Sequence, residues 1–207
     1  MQLRVITYPD PVTGEAEKIN ALFKEGLTCL HLRKPKWTND QIMGLLEEIN
    51  ENDHKKITFH QMHHMAIDFG LGGVHLKSTE RDQKDEEQLQ EWVNGWKERG
   101  CKISTAIHNI EELERYLQDF DVLTISPIFE SISKSGYRPE IDWLTILKGR
   151  DLSKAMAIGG ISEETIPIIA PYGFKACGVM GAIWEEGDAV ENYKKIKEVC
   201  EQHVPLS

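Results

Sequence analysis

Short apolar runs alternate with longer segments of helical periodicity from one end of the chain to the other, the pattern of repeated strand–helix units that feed a parallel sheet. The runs at residues 3–8, 27–32, 56–59, 73–76, 102–106, 122–126, 155–158 and 176–179 read as strands. Between them, residues 38–50 carry Ile42, Leu45, Leu46 and Ile49 on one helical face, with Thr38 and Gln41 spaced as a capping box. Residues 85–99 repeat the pattern with Leu89, Trp92, Val93 and Trp96, and residues 109–118 and 190–200 behave similarly. The chain is therefore expected to form an α/β fold, a single (β/α)8 TIM barrel over residues 1–207. The competing open, doubly wound sheet calls for G-x-G-x-x-G after the first strand, which this chain lacks.

The last two runs end on glycine. In Lys154-Ala-Met-Ala-Ile-Gly-Gly-Ile161, Gly159 and Gly160 let the chain turn without a Cβ and leave amides open. In Gly178-Val-Met-Gly-Ala-Ile183, Gly181 opens a short helix whose N-terminus can face an anion. Barrels build phosphate cups from the loops after strands seven and eight. Gly159, Gly160, Met180 and Gly181 are thus the candidate phosphate-binding residues. The same glycines would also serve plain tight turns, but two such strand ends near the end of the chain favour the cup.

Length and charge narrow the choice of partners. At 207 residues the chain holds one substantial core, and no linker or low-complexity run divides it. A formal charge of -10, from 34 acidic against 24 basic residues, repels nucleic-acid backbones and anionic membranes, so neither partner is expected. A small anionic ligand is still compatible, because a few local amides and cations outweigh a distant, screened charge. Cys29, Cys101, Cys177 and Cys200 lack CxxC spacing and read as reduced core residues. The N-terminus lacks a basic leader with an apolar stretch, and no apolar run approaches the ~20 residues of a membrane span, so a cytoplasmic location is expected. Oligomeric state is left open.

A set of pieces at the strand ends then carries a resemblance. They are Val5-Ile-Thr-Tyr-Pro-Asp10, His31-Leu-Arg33, Gly73-Val-His-Leu76, Ser104-Thr-Ala-Ile-His108, Ser126-Pro-Ile-Phe129 with Lys134, Ala157-Ile-Gly-Gly-Ile161 and Gly178-Val-Met-Gly-Ala-Ile183. No piece is specific by itself. In order, over nearly the whole chain, they resemble the thiamine phosphate synthase/TenI family, which implies a (β/α)8 barrel making the thiazole or thiazole–pyrimidine part of thiamine. Synthases of that family join a pyrimidine diphosphate to a thiazole phosphate, with Mg²⁺ on the Asp of an Asn-Asp-Arg triplet after strand three and on a second Asp beyond strand four. The matching positions here are His60, Gln61 and Met62, then Glu80, so the first carboxylate is missing. Mg²⁺ prefers several hard oxygen ligands. Strand two ends His31-Leu-Arg33-Lys34-Pro35, where synthases tend to read Gln-x-Arg-x-Lys, and its His-x-Arg is similar to the TenI branch, which tautomerises a thiazole without metal. No metal and no other cofactor is expected, with Mg²⁺ entering only if the chain is a synthase.

His108, closing strand five with its ring expected over the barrel mouth, is the candidate catalytic acid/base. Tautomerisation moves a proton from a ring carbon beside a carboxylate to an exocyclic carbon, and an imidazole titrating near ~6.5 can take and return it. A helix cap or a loop contact would use the same residue differently. The candidate substrate-binding residues are His31, Arg33, His60, Ser131, Ser133 and Lys134. Arg33 cannot stay buried unpaired, so it meets a ligand anion or an internal carboxylate. The polar loop 131–136 could fold over the site as a lid. His60, His63, His64 and His75 raise a transition-metal site, but no acidic or cysteine partner stands beside them. Surface histidines are the expected account, except for His60 at the barrel mouth. The leading expectation is metal-independent tautomerisation of a thiazole carboxylate phosphate. The alternatives are thiamine phosphate synthesis with an altered Mg²⁺ site and non-catalytic binding of thiazole phosphate.

Overall fold

The computed structural model describes residues 1–130 and 139–203. Among them the strands are β1 (Gln2–Ile6), β2 (Leu30–Leu32), β3 (Ile57–Phe59), β4 (Gly73–Leu76), β5 (Lys102–Ile107), β6 (Val122–Ile125), β7 (Ala155–Ile158) and β8 (Ala176–Val179). They pair in parallel in chain order and close into a barrel through β1 and β8. The helices are α1 (Glu15–Lys24), α2 (Asn39–Glu48), α3 (His64–Asp68), α4 (Ser78–Arg81), α5 (Glu86–Glu98), α6 (Ile110–Tyr116), α7 (Trp143–Ile146), α8 (Ile166–Ile169), α9 (Gly181–Trp184) and α10 (Ala189–Gln202). The fold is the (β/α)8 barrel that the alternating pattern predicts. The second strand starts later than its apolar run: Cys29 O accepts from Val5 N at 3.3 Å, and regular pairing begins at Leu30.

Local chemistry starts the helices where the pattern predicts. Thr38 and Gln41 form the capping box of α2, and Asp85 and Gln88 form a second one at α5. Asn109 and Asp188 cap α6 and α10 through their side chains. Each such cap is worth about 1 kcal/mol relative to alanine. Among the described residues no helix is long and apolar enough to cross a membrane. All four cysteines are free, Cys177 and Cys200 facing each other at 3.6 Å between β8 and α10.

Strand alternation decides what the barrel encloses. Leu3 and Val5, Leu30 and Leu32, Ile57 and Phe59, and Val74 and Leu76 pack in the main core under the helices. The residues between them face inward. On β6 to β8 that interior is apolar apart from Thr124, with Val122, Met156 and Ala176 packed together and Ile158 against them. Around β1 to β5 it is polar, with Arg4, His31, Thr58, His60, His75 and Ser104 all buried. Barrel interiors are usually filled by branched apolar side chains, so the polar half needs internal partners.

Candidate active site

The strand ends surround a cavity of about 630 Å³, within the range of small-ligand sites. His60, His75, Thr124 and Ser126 line its interior; Tyr8, Asp10, Arg33 and Lys36 stand at its rim; Gly159, Gly160, Gly178, Met180 and Gly181 form the opposite side.

A chain of imidazoles builds the polar wall. His31, fully buried, holds Nδ1 at 2.9 Å from His60 Nε2. The His60 ring stacks on His75 with centroids 4.2 Å apart and planes 20° apart. His75 Nδ1 lies 2.9 Å from Ser104 Oγ, and Ser104 donates its one hydroxyl proton to Val74 O at 3.4 Å. With that proton committed, Ser104 accepts from His75 Nδ1–H, which leaves the lone pair on Nε2. Burial holds all three imidazoles neutral. It pushes the His31 pKa well below the usual range, assisted by the nearby Arg4 and His75, and pushes His60 well down too, assisted by His75, His31 and Arg33. His75 is lowered to about 3, by burial first and then by His63, Arg33, Lys77 and Arg81.

These positions revise the surface account of the histidines. His60 and His75 are interior, and His63 is half-buried against Trp92 and Trp96 with Nε2 at 3.0 Å from His75 O; only His64 is exposed. Among the described residues no group of three or more His, Cys, Asp or Glu side chains could hold a metal ion. The positions equivalent to the synthase carboxylates are engaged elsewhere. Gln61 accepts from Lys34 N at 3.1 Å and donates back to Lys34 O. Glu80 pairs with Lys77 at 3.2 Å and lines a separate surface groove with Trp92 and Trp96. The side chains at the ends of β3 and β4 therefore do not fit the hard, oxygen-rich coordination that Mg²⁺ takes.

Arg33 departs from expectation because it is exposed, not buried at the strand end. It lines the cavity rim, its backbone N and O bridged to Thr7 Oγ1 at 2.9 and 3.1 Å, and no ion pair holds its guanidinium among the described residues. The buried cation is its neighbour Lys34, which pairs with Glu15 at 2.6 Å, donates to Asp10 O at 3.1 Å and lies over the Trp37 ring. Ser131, Ser133 and Lys134 lie outside the described residues.

The glycine side is built on backbone. Gly159 and Gly160 have φ of 93° and 63°, the left-handed region that favours glycine. A Cβ on Gly159 would stand 2.7 Å from Pro127 Cβ, and one on Gly160 2.7 Å from Phe129 Cβ. The segment after β6 is laced to this turn by Ile128 N→Ile158 O at 2.9 Å and Phe129 N→Gly159 O at 3.1 Å. These glycines therefore have a packing role whatever they bind, which accounts for part of their signal in the sequence.

His108 sits at the end of β5, between β4 and β6, whose residues His75, Thr124 and Ser126 line the cavity. Its ring does not point into that cavity as expected. It is exposed, with Nε2 at 2.9 Å from Ser78 Oγ at the start of α4. Glu112 fixes the backbone here: its Oε2 accepts from His108 N at 2.9 Å and stands 3.1 Å from Arg81 Nη2. Ser78 Oγ can accept from Nε2–H, and in that tautomer the lone pair of His108 is on Nδ1, which makes no hydrogen bond to the described residues. Tyr8, Asp10, Lys36, His75, Thr124 and Ser126 line the cavity without having been singled out as substrate contacts. For His75 the signal was its inward parity on an apolar strand.

Comparison with known proteins places this geometry. A family model described as thiamine monophosphate synthase matches residues 3–183. A thiamine-phosphate synthase from Pasteurella multocida (strain Pm70) is 22% identical over 199 residues, 90% of this chain and 87% of that protein. The crystal structure of thiamine phosphate pyrophosphorylase from Bacteroides thetaiotaomicron shares 28% identity with a TM-score of 0.74, covering 97% of this chain and 98% of that one. The thiamine phosphate pyrophosphorylase of Pyrococcus furiosus, 16% identical with a TM-score of 0.75 over 98% and 96% of the two chains, shares the fold.

Proposed function

We propose, from the premise that this chain belongs to the thiamine monophosphate synthase family, that it isomerises a thiazole carboxylate phosphate without a metal. The observation that carries this reading is the polar wall: His31 and His60 stand where synthases carry amides, Gln61 stands where they carry the first carboxylate, and His31, His60 and His75 form a bonded and stacked chain. Neutral imidazoles accept, donate and exchange protons, whereas Mg²⁺ needs hard oxygens. The phosphate would sit on the backbone amides of Gly159, Gly160, Met180 and Gly181, opposite that wall. His108, at the end of β5, would turn its ring from Ser78 towards the cavity, remove the ring proton beside the carboxylate and return it to the exocyclic carbon. Arg33 at the rim, with no ion-pair partner among the described residues, would meet the ligand's negative charge.

A second reading, thiamine phosphate synthesis, is favoured by the names of the relatives, including the 28% identical Bacteroides thetaiotaomicron protein. The experiment that separates the two mixes purified protein with hydroxymethylpyrimidine diphosphate, thiazole phosphate and Mg²⁺, and in parallel supplies the non-aromatic thiazole carboxylate phosphate with a chelator. Turnover in the second mixture with only trace thiamine phosphate in the first is expected. Robust thiamine phosphate formation would overturn the isomerase reading.

A further inference from the structure

The polar wall presents a matched pair of nitrogens to the cavity. His60 Nε2 is engaged by His31, and His75 Nδ1 by Ser104. The remaining ring nitrogens, His60 Nδ1 and His75 Nε2, have no hydrogen-bond partner among the described residues. Unlike His31 Nε2 and Arg4 Nε, they are not shut off inside the protein, and both rings line the cavity.

Their protonation states follow from their neighbours. His31 Nε2 is buried with no partner and the Arg4 charge acts on that ring, which favours a lone pair there over an orphaned N–H. His31 then donates from Nδ1 to His60 Nε2, and His60 turns Nδ1–H to the cavity. His75 turns its Nε2 lone pair there, because Ser104 has spent its proton on Val74 O. The empty wall is therefore one donor beside one acceptor. Around His75 stand His60, His63, Arg33, Lys77 and Arg81, and none of these is a carboxylate.

We propose that the stacked His60–His75 pair is the subsite for the carboxylate of the ligand, and that His75 Nε2 takes up one proton from solvent when that carboxylate binds. His60 Nδ1–H can donate to one carboxylate oxygen as it stands. The other oxygen meets a lone pair unless His75 is protonated, and the incoming negative charge offsets the burial and the cations that keep His75 neutral in the empty protein. The inference rests on the thiazole carboxylate phosphate reading of the site, and it accounts for a wall of neutral histidines where fixed cations would also capture inorganic phosphate.

The test is calorimetric binding, in two buffers of different ionisation enthalpy, of the aromatic thiazole carboxylate phosphate and of the same thiazole phosphate without its carboxylate. Wild-type protein is expected to prefer the carboxylate-bearing ligand by about 10–100-fold near pH 6.5, as suits a charge-assisted pair. It should take up as much as ~1 proton more with that ligand. His75→Gln should lose the extra uptake, while His60→Gln should keep it and bind more weakly. A wild-type arm needs no variant to fold: above the pKa of the bound His75, the preference should fall by up to tenfold per pH unit, because binding consumes a proton. Equal uptake with both ligands, a preference flat from pH 6 to 9, or unchanged uptake in folded His75→Gln would each overturn the subsite. A protein that binds with the extra uptake but never isomerises the non-aromatic compound contradicts the functional reading and leaves the subsite standing. Isomerisation without the uptake does the reverse.

Discussion

Two walls of one barrel obey the same alternation and do opposite things. From β6 to β8 the inward positions hold Val122, Met156, Ala176 and Ile158 with Thr124 the one polar side chain, and β7 and β8 run into glycine, so on the proposed reading a ligand meets mostly backbone there. From β2 to β5 the inward positions hold His31, His60, His75 and Ser104, tied strand to strand, so side chains are what it meets. The apolar wall carries no group that titrates, and on the proposed reading it meets the ligand's phosphate through backbone amides. The histidine wall is stable only while neutral, and its polarity is of use only to a ligand that can exchange protons or hydrogen bonds with it.

Acid should break the comparison most visibly. His31, His60 and His75 are held neutral in the folded chain, whereas the unfolded chain binds protons on them below about pH 6.5. Stability should therefore climb with pH from about 3, the His75 value, to about 6.5 and level off above. Between pH 7 and 5 each imidazole is expected to cost on the order of 2 kcal/mol. Urea denaturation across that range measures it. His75→Gln should flatten the slope by about one proton's worth, and a wild-type curve level from pH 7 to 5 would contradict the neutral wall.

The apolar wall offers the control. Met156, fully buried against Val122 and Ala176, should lose about 2–5 kcal/mol on change to alanine, by a cavity term that does not depend on pH. The same denaturation series checks this: parallel wild-type and Met156→Ala curves are expected. A loss that grows in acid would mean that the two walls are coupled.

Gly160→Ala sharpens the glycine side. It forces a Cβ at φ 63° against Phe129, and should cost ~1–3 kcal/mol. Affinity for thiazole phosphate should also fall, and comparison with a packing-only change, Phe129→Ala, separates the two effects. Glu80→Gln should do least. Its pair with Lys77 is half-exposed and worth ~0–1 kcal/mol, and turnover should stay at the wild-type level. A large loss of turnover would return Glu80 to the site as a metal ligand.

The barrel was legible because each strand carries its own apolar signal, and the glycine turns because only glycine suits those positive φ values. The histidine wall was harder to see. In a half-exposed sheet a polar residue alternating with apolar ones faces water, but in this barrel the apolar positions of β2 and β4 face the helices, so His31 and His75 point into the interior. His60 was legible only as a departure from the family triplet. The bonds between Gln61 and Lys34, and the pairing of Lys34 with Glu15, join residues far apart in the chain and leave no periodic trace. The exposure of Arg33 and the turn of His108 towards Ser78 are set by loops, whose geometry has no repeat to read.

The central claim is that an imidazole, with no metal, moves the proton. The most direct measurement is the rate of aromatisation of the thiazole carboxylate phosphate at saturating substrate in excess chelator, for wild type and His108→Gln. Undiminished wild-type turnover and a loss on the order of 10²–10⁴ in the variant are what a positioned general base predicts. A wild-type rate abolished by chelator and restored by Mg²⁺, or a His108→Gln rate within tenfold of wild type, would contradict it.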